Sequence, residues 1–197
     1  MKHRPFFGIL FLLTCQGAYA DECKDEFIRL MTDRAPKEAT KIYITQQIKG
    51  APKTINWNYQ DGNGNWLTEV IEPANGQWSM GFDNVLYTST DKGKTWTKVR
   101  EMEDQSEAQE KSLKERISTV TNATCGEVEV DGVTYSTIEA DYKMLGSFNA
   151  DIHDTFWINA ETGYVSRLET NMKTSAFENN VVQILEPAPD LILPSPE

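Results

Sequence analysis

Asp151, His153 and Asp154 set the last histidine of the chain between carboxylates, a composition suited to general acid–base chemistry. Catalysis would also need a nucleophile brought up by the fold, and an alternating strand splits the group, with Ile152, Asp154 and Phe156 on one face and Asp151 and His153 on the other. That spacing reads as a surface histidine. Asp61-Gly-Asn-Gly-Asn65 offers side-chain oxygens at alternate positions, as the first half of a calcium loop does. Trp66 stands where such a loop needs glycine and the distal glutamate is missing, so a solvated hairpin tip is expected and no metal site. No Gly-x-Ser-x-Gly, phosphate-binding loop, zinc spacing or dinucleotide fingerprint occurs, and no cofactor and no enzymatic activity are expected. A hydrolase built on His153 is the remaining enzymatic alternative.

Two cysteines stand outside the first twenty residues, Cys23 and Cys125. They are not in a Cys-x-x-Cys spacing, and an even pair in an exported chain reads as one structural disulfide. Export is written at the start of the chain. Lys2 and Arg4 precede the apolar run Phe6 to Leu13, and Ala18-Tyr19-Ala20 is a small-x-small cleavage site, so residues 1–20 read as a signal peptide. The compartment expected is the periplasm, with the extracellular space as the alternative. Leu12-Leu13-Thr14-Cys15 is a loose lipobox, which leaves anchoring through Cys15 as a further alternative.

Residues 21–197 form one domain's length of chain. Without Lys2 and Arg4, 17 basic residues face 30 acidic ones, a formal net charge of −13. Such a surface repels phosphate backbones, so no nucleic acid is expected as a partner. No later apolar stretch reaches a membrane-spanning length, so the chain is not expected to be transmembrane.

The residues around these groups are mostly strand-forming. A short helix is expected over 22–33, with Phe27, Leu30 and Met31 on one face, and a second over 101–119 with a thin stripe at Leu113, Ile117 and Val120. Between and after them, about eleven short strands alternate with turn signals, the clearest being Asp131-Gly132. Turns this frequent make the sheet antiparallel. Pairing Tyr59 with Trp66 would put Ile55, Trp57, Tyr59, Trp66, Thr68 and Val70 on one face. Residues 187–197 carry four prolines and read as an extended tail. Ser89-Thr-Asp-Lys-Gly-Lys-Thr-Trp96 fits the Asp-box pattern of β-propeller blades, but a single copy reads as a hairpin device. Asn122-Ala-Thr124 is a glycosylation sequon.

Trp57, Trp66, Trp78 and Trp96 fall within forty residues. They read either as core or as the wall of a hydrophobic hollow between sheet and helix. Trp57, Trp66, Trp78 and Met80 are the ligand-lining candidates.

Two segments resemble the LolA-like (outer-membrane lipoprotein carrier-like) superfamily. One is Val85 to Trp96. The other is Phe156-Trp-Ile-Asn-Ala-Glu-Thr-Gly-Tyr-Val-Ser-Arg-Leu-Glu169, similar to the family hairpin W-[ID]-x-x-T-G-x-P-x-R-x-E, with Val165 in place of its proline. Trp157, Thr162, Gly163, Arg167 and Glu169 match as scaffold. The resemblance implies a mainly β domain over residues 21–186, an incompletely closed antiparallel half-barrel with a helical lid. It also implies a hollow for acyl chains or other lipids. The expected function is therefore non-enzymatic binding of an acyl chain or similar amphiphile, with a lipid or acylated molecule as ligand. The alternative is an interaction or sensor module with a self-filled core and a protein partner in the envelope.

Overall fold

The computed structural model describes residues 16–33, 37–146 and 149–196, with side chains from residue 20 onward. The expected leader's apolar run and Cys15 lie outside these residues. Helix α1 spans Gln16–Thr32 and so passes through the expected cleavage site and covers most of the expected 22–33 helix. Strands β1 (Thr40–Ile48), β2 (Thr54–Gln60), β3 (Trp66–Glu72), β4 (Trp78–Phe82), β5 (Val85–Ser89) and β6 (Thr97–Glu101) follow. Helix α2 is Ser106–Ile117, shorter than the 101–119 expected. Then come β7 (Thr121–Val130), β8 (Val133–Met144), β9 (Ala150–Asn159), β10 (Val165–Lys173) and β11 (Glu178–Pro187).

All eleven strands join one antiparallel sheet in the order β6-β5-β4-β3-β2-β1-β11-β10-β9-β8-β7. The first and last strands of the chain are neighbours at its centre, and β6 and β7 are its edges, so the sheet is an open half-barrel. Local turns drive the consecutive pairings. Asp131 and Gly132 take φ of 52° and 79°, as a primed two-residue turn requires, and Asp83 and Asn84 turn β4 into β5 with φ of 48° and 60°.

Antiparallel partners share a face, so the registers sort the side chains. Ile138, Phe156 and Leu168 lie side by side on β8, β9 and β10, continued by Gln183 on β11 and Ile44 on β1. This is the face that α1 covers. Phe27, Leu30 and Met31 recur at helical spacing on α1 and press into Ile138, Ala140, Tyr142, Ile152, Phe156 and Leu168, all under 7 % exposed. Full burial of an aliphatic or aromatic side chain contributes roughly 1.5–3 kcal/mol. Helix α2 buries no residue fully and rests on the core through Leu113.

Cys23 and Cys125 are bonded, with Cα atoms 5.6 Å apart and a sequence separation of 102. The bond fastens the first half of α1 to β7. Cys23 precedes Phe27 by one turn, so the fastening sits on the same side of the helix as the core contacts.

The expected pairing of Tyr59 with Trp66 is off by one residue. Tyr59 faces Leu67 and Gln60 faces Trp66. A one-residue shift moves every side chain of a strand to the other face. Trp66 thus lies on the α1 side of the sheet, whereas Trp57, Tyr59 and Leu67 lie on the opposite side.

Candidate functional site

The sheet and α1 do not fill the space between them. A cavity of about 770 Å3 opens beside the C-terminal half of α1. Its floor is apolar, made by Leu30 of α1, Ile42 of β1, Phe156 of β9, Leu168 of β10 and Leu185 of β11. Its mouth is polar, with Arg29, Asp33, Lys37, Glu38, Gln60 and Gln183. The mouth is held by ion pairs: Arg29 grips Glu26 through two bonds of 2.7 and 2.5 Å, and Lys37 meets Asp33 at 3.2 Å. The guanidinium bonds hold the Glu26 carboxyl below the usual carboxylate range. Ligand pockets typically enclose about 300–1,000 Å3, with a mainly apolar lining and a few polar groups. The hollow matches that description.

A second cavity of about 900 Å3 opens at the other end of the same strands, where β8, β9, β10 and β11 meet the turn after α2. Tyr142, Ile152, Met172 and Asn179 contribute to its wall. Its rim carries Lys49 paired with Glu178 at 2.8 Å and Lys143 paired with Asp151 at 3.2 Å.

Between the two cavities stands Phe27, wholly buried. Its ring meets Phe156 of the first cavity edge-on at 5.5 Å and Tyr142 of the second at 6.2 Å. Along β9, Phe156 lines the first cavity and Ile152 the second, and Asp154 lies between them with no exposed surface. The Tyr142 hydroxyl donates to Oδ2 of Asp154 at 2.9 Å.

The four ligand-lining candidates are placed elsewhere, while Asp151 and His153 border the second cavity. Trp57, Trp78 and Met80 lie on the face opposite α1, and Trp66 lies on the α1 face but out on β3; none of the four lines either cavity. Trp57 packs against Tyr43 at 5.0 Å and Tyr59 at 6.2 Å, with the Lys41 ammonium over its ring at 5.4 Å. Burial, and then a hydrogen bond to Glu69, push the Tyr59 hydroxyl up to about 12. Met80 is wholly buried between Leu67 and Tyr87. Trp66 closes over Gly81, and Trp78 over Gly93, whose φ of 78° turns the Asp-box hairpin. The floor of the first cavity is instead three leucines, one isoleucine and one phenylalanine spread over α1, β1, β9, β10 and β11. Of this set the sequence singles out Phe156, on the alternating face it shares with Ile152 and Asp154.

His153 lies on the face opposite α1, between Asp141 at 2.8 Å from Nδ1 and Glu139 at 3.6 Å from Nε2. Asp141 is held below the ordinary carboxylate range first by the Asn122 amide, which donates to it at 2.8 Å, and also by His153. The Thr155 hydroxyl is 3.5 Å from Nε2. The histidine's partner carboxylate thus comes from β8, not from its sequence neighbours Asp151 and Asp154. The Asp61 carboxylate is taken up by its own loop, accepting from the amides of Asn63 and Asn65 at 2.7 and 3.1 Å and from the Asn65 side chain at 2.8 Å. Among the described residues no cluster of three metal-ligating side chains occurs. Among them, too, no helix is long and apolar enough to cross a membrane.

No family model matches the chain, and no curated protein does. Among solved structures it is similar to a LolA superfamily protein from Nitrosomonas europaea. The identity is 11 %, 88 % of this chain and 95 % of that chain are covered, and the TM-score is 0.35. So distant a likeness says nothing of function, and the half-barrel architecture rests on the strand order and registers given above.

Proposed function

We propose that the protein is an exported, non-enzymatic carrier that holds an acyl chain or other amphiphile in the hollow beside α1. The observation that supports this is the hollow's polarity profile: a floor of Leu30, Ile42, Phe156, Leu168 and Leu185 beneath a mouth of paired charges. An apolar tail gains about 0.8 kcal/mol per buried CH2 on such a floor, while a polar head stays at the rim. The Cys23–Cys125 bond supports export, because disulfides persist in oxidising compartments.

A second reading draws on the opposite face. Trp157, Arg167, Ile184, Tyr43 and Trp57 are direct register partners across β9, β10, β11, β1 and β2, and all are half-buried. Arg167 lies 5.1 Å above the Trp157 ring. Such a row of aromatic and basic groups suits a protein partner in the envelope, and in this reading the hollow carries no ligand.

One experiment separates the two. Native mass spectrometry of residues 21–197 purified from its export compartment, with lipid extraction of the same sample, is expected to show a bound acyl species. Leu185→Glu, at the half-buried edge of the floor, is expected to weaken its binding at least tenfold, and Trp57→Ala to leave it unchanged. A clean unliganded mass that persists after incubation with envelope lipids would refute the carrier reading.

A further inference from the structure

We propose that Phe27 sets the length of chain the hollow accepts, its ring acting as the end wall. This rests on the carrier reading of the same hollow. The ring is wholly buried and touches one residue of each cavity, Phe156 on the near side and Tyr142 on the far side. The space on both sides of it follows the same strands, β9 and β10, so a tail lying along Leu168 and Phe156 points at the ring.

The ring is a fixed stop because α1 is bonded to β7 through Cys23, one turn before Phe27, so the helix cannot carry the ring aside without straining that tie. A tail therefore gains affinity only up to the ring. Below that length each added methylene tightens binding about fourfold. Beyond it, further methylenes stay in the mouth or in water and add nothing. Shortening Phe27 joins the near cavity to the far one and extends the run over which affinity climbs.

The test is the dissociation constant of a homologous series of straight-chain fatty acids, measured by displacement of a fluorescent fatty acid from residues 21–197. The wild-type protein is expected to show a rise of about fourfold per methylene that stops at one chain length. Phe27→Ala is expected to keep the slope for short chains and move the stop to longer ones. A break at the same length in both proteins, or a rise without a break in the wild type, would overturn the proposal. Should Phe27→Ala fail to melt cooperatively, Phe27→Leu decides by the same criterion, with a smaller displacement of the break. If no member of the series binds the wild type, the carrier reading itself fails, which is a different result from binding without a break.

Discussion

The hydroxyl of Tyr142 donates a 2.9 Å hydrogen bond to Oδ2 of Asp154, and the two residues are 3 % and 0 % exposed. A carboxyl group in an apolar core depends on its donors, and hydrogen bonds to charged groups contribute about 1.5–3 kcal/mol. Tyr142→Phe removes this donor and keeps the ring against Phe27. The expected loss of stability is about 1.5–3 kcal/mol in urea unfolding, with the slope of the transition unchanged. An unaltered midpoint would show that the hydroxyl does not support Asp154.

The bond between Cys23 and Cys125 closes a loop of 102 residues. In the chain-entropy model a loop near that length contributes about 4.7 kcal/mol. Cys125→Ser, or reduction of the wild type, is expected to lower stability by about 4 kcal/mol and to make the segment around Phe27 and Arg29 sensitive to protease before the strands unfold. Equal protease resistance with and without reductant would contradict the anchoring role.

Asp91 is the clearest source of acid sensitivity. The Thr95 hydroxyl and amide donate to its two oxygens at 2.7 and 2.9 Å, Ser89 adds a third bond at 2.8 Å, and the carboxyl is held down at about 2. The ordinary value is 3.8. Between these values the unfolded chain binds the proton and the folded one does not, so the hairpin's stability rises with pH across that interval. The contribution is present above the ordinary value and is lost as pH falls through about 2. An NMR titration of the Thr95 amide should report the low midpoint, and Asp91→Asn should abolish the dependence. A midpoint near the ordinary value would show that these bonds do not form in solution.

Gly81 is required by Trp66. A Cβ at position 81 would lie 2.4 Å from Nε1 of the indole. Gly81→Ala is expected to displace the ring and destabilise the protein by about 1–3 kcal/mol, with a shift in tryptophan emission. The combination with Trp66→Leu should recover much of the loss. Full stability of Gly81→Ala would mean that the indole has room to move.

The turns were readable because their chemistry is local. Asp131-Gly132 marked the β7–β8 hairpin, and the single Asp-box proved to be the β5–β6 connection with its carboxylate bonded to its own loop. The alternation around Ile152, Asp154 and Phe156 marks the right faces, but a carboxylate in it gives no local sign that Asp154 is wholly buried. The hollow was not readable, for two reasons. The Tyr59–Trp66 register depended on how many residues the Asp61–Asn65 tip absorbs, and one residue sufficed to put Trp57 and Trp66 on different faces. Moreover, the floor joins Ile42 to Leu168 and Leu185 through the pairing of β1 with β11, the most distant in sequence, to which no local signal points. Aromatic residues clustered in sequence drew attention to β2–β4, while the apolar floor was assembled from leucines scattered along the chain.

A sheet that stops short of closing keeps two rims of unsatisfied backbone, and each is a template on which another strand can grow. The rim at β6 is only five residues long, wholly exposed and studded with Lys98, Arg100 and Glu101. The rim at β7 is twice that length and ends in Val128 and Val130, so its irregular register near Asn122 and the helix bonded to Cys125 restrain it. The Cys23–Cys125 bond therefore also guards the longer rim, by holding α1 beside it. Without that bond the longer rim loses one of its restraints and is the edge more open to pairing with another strand.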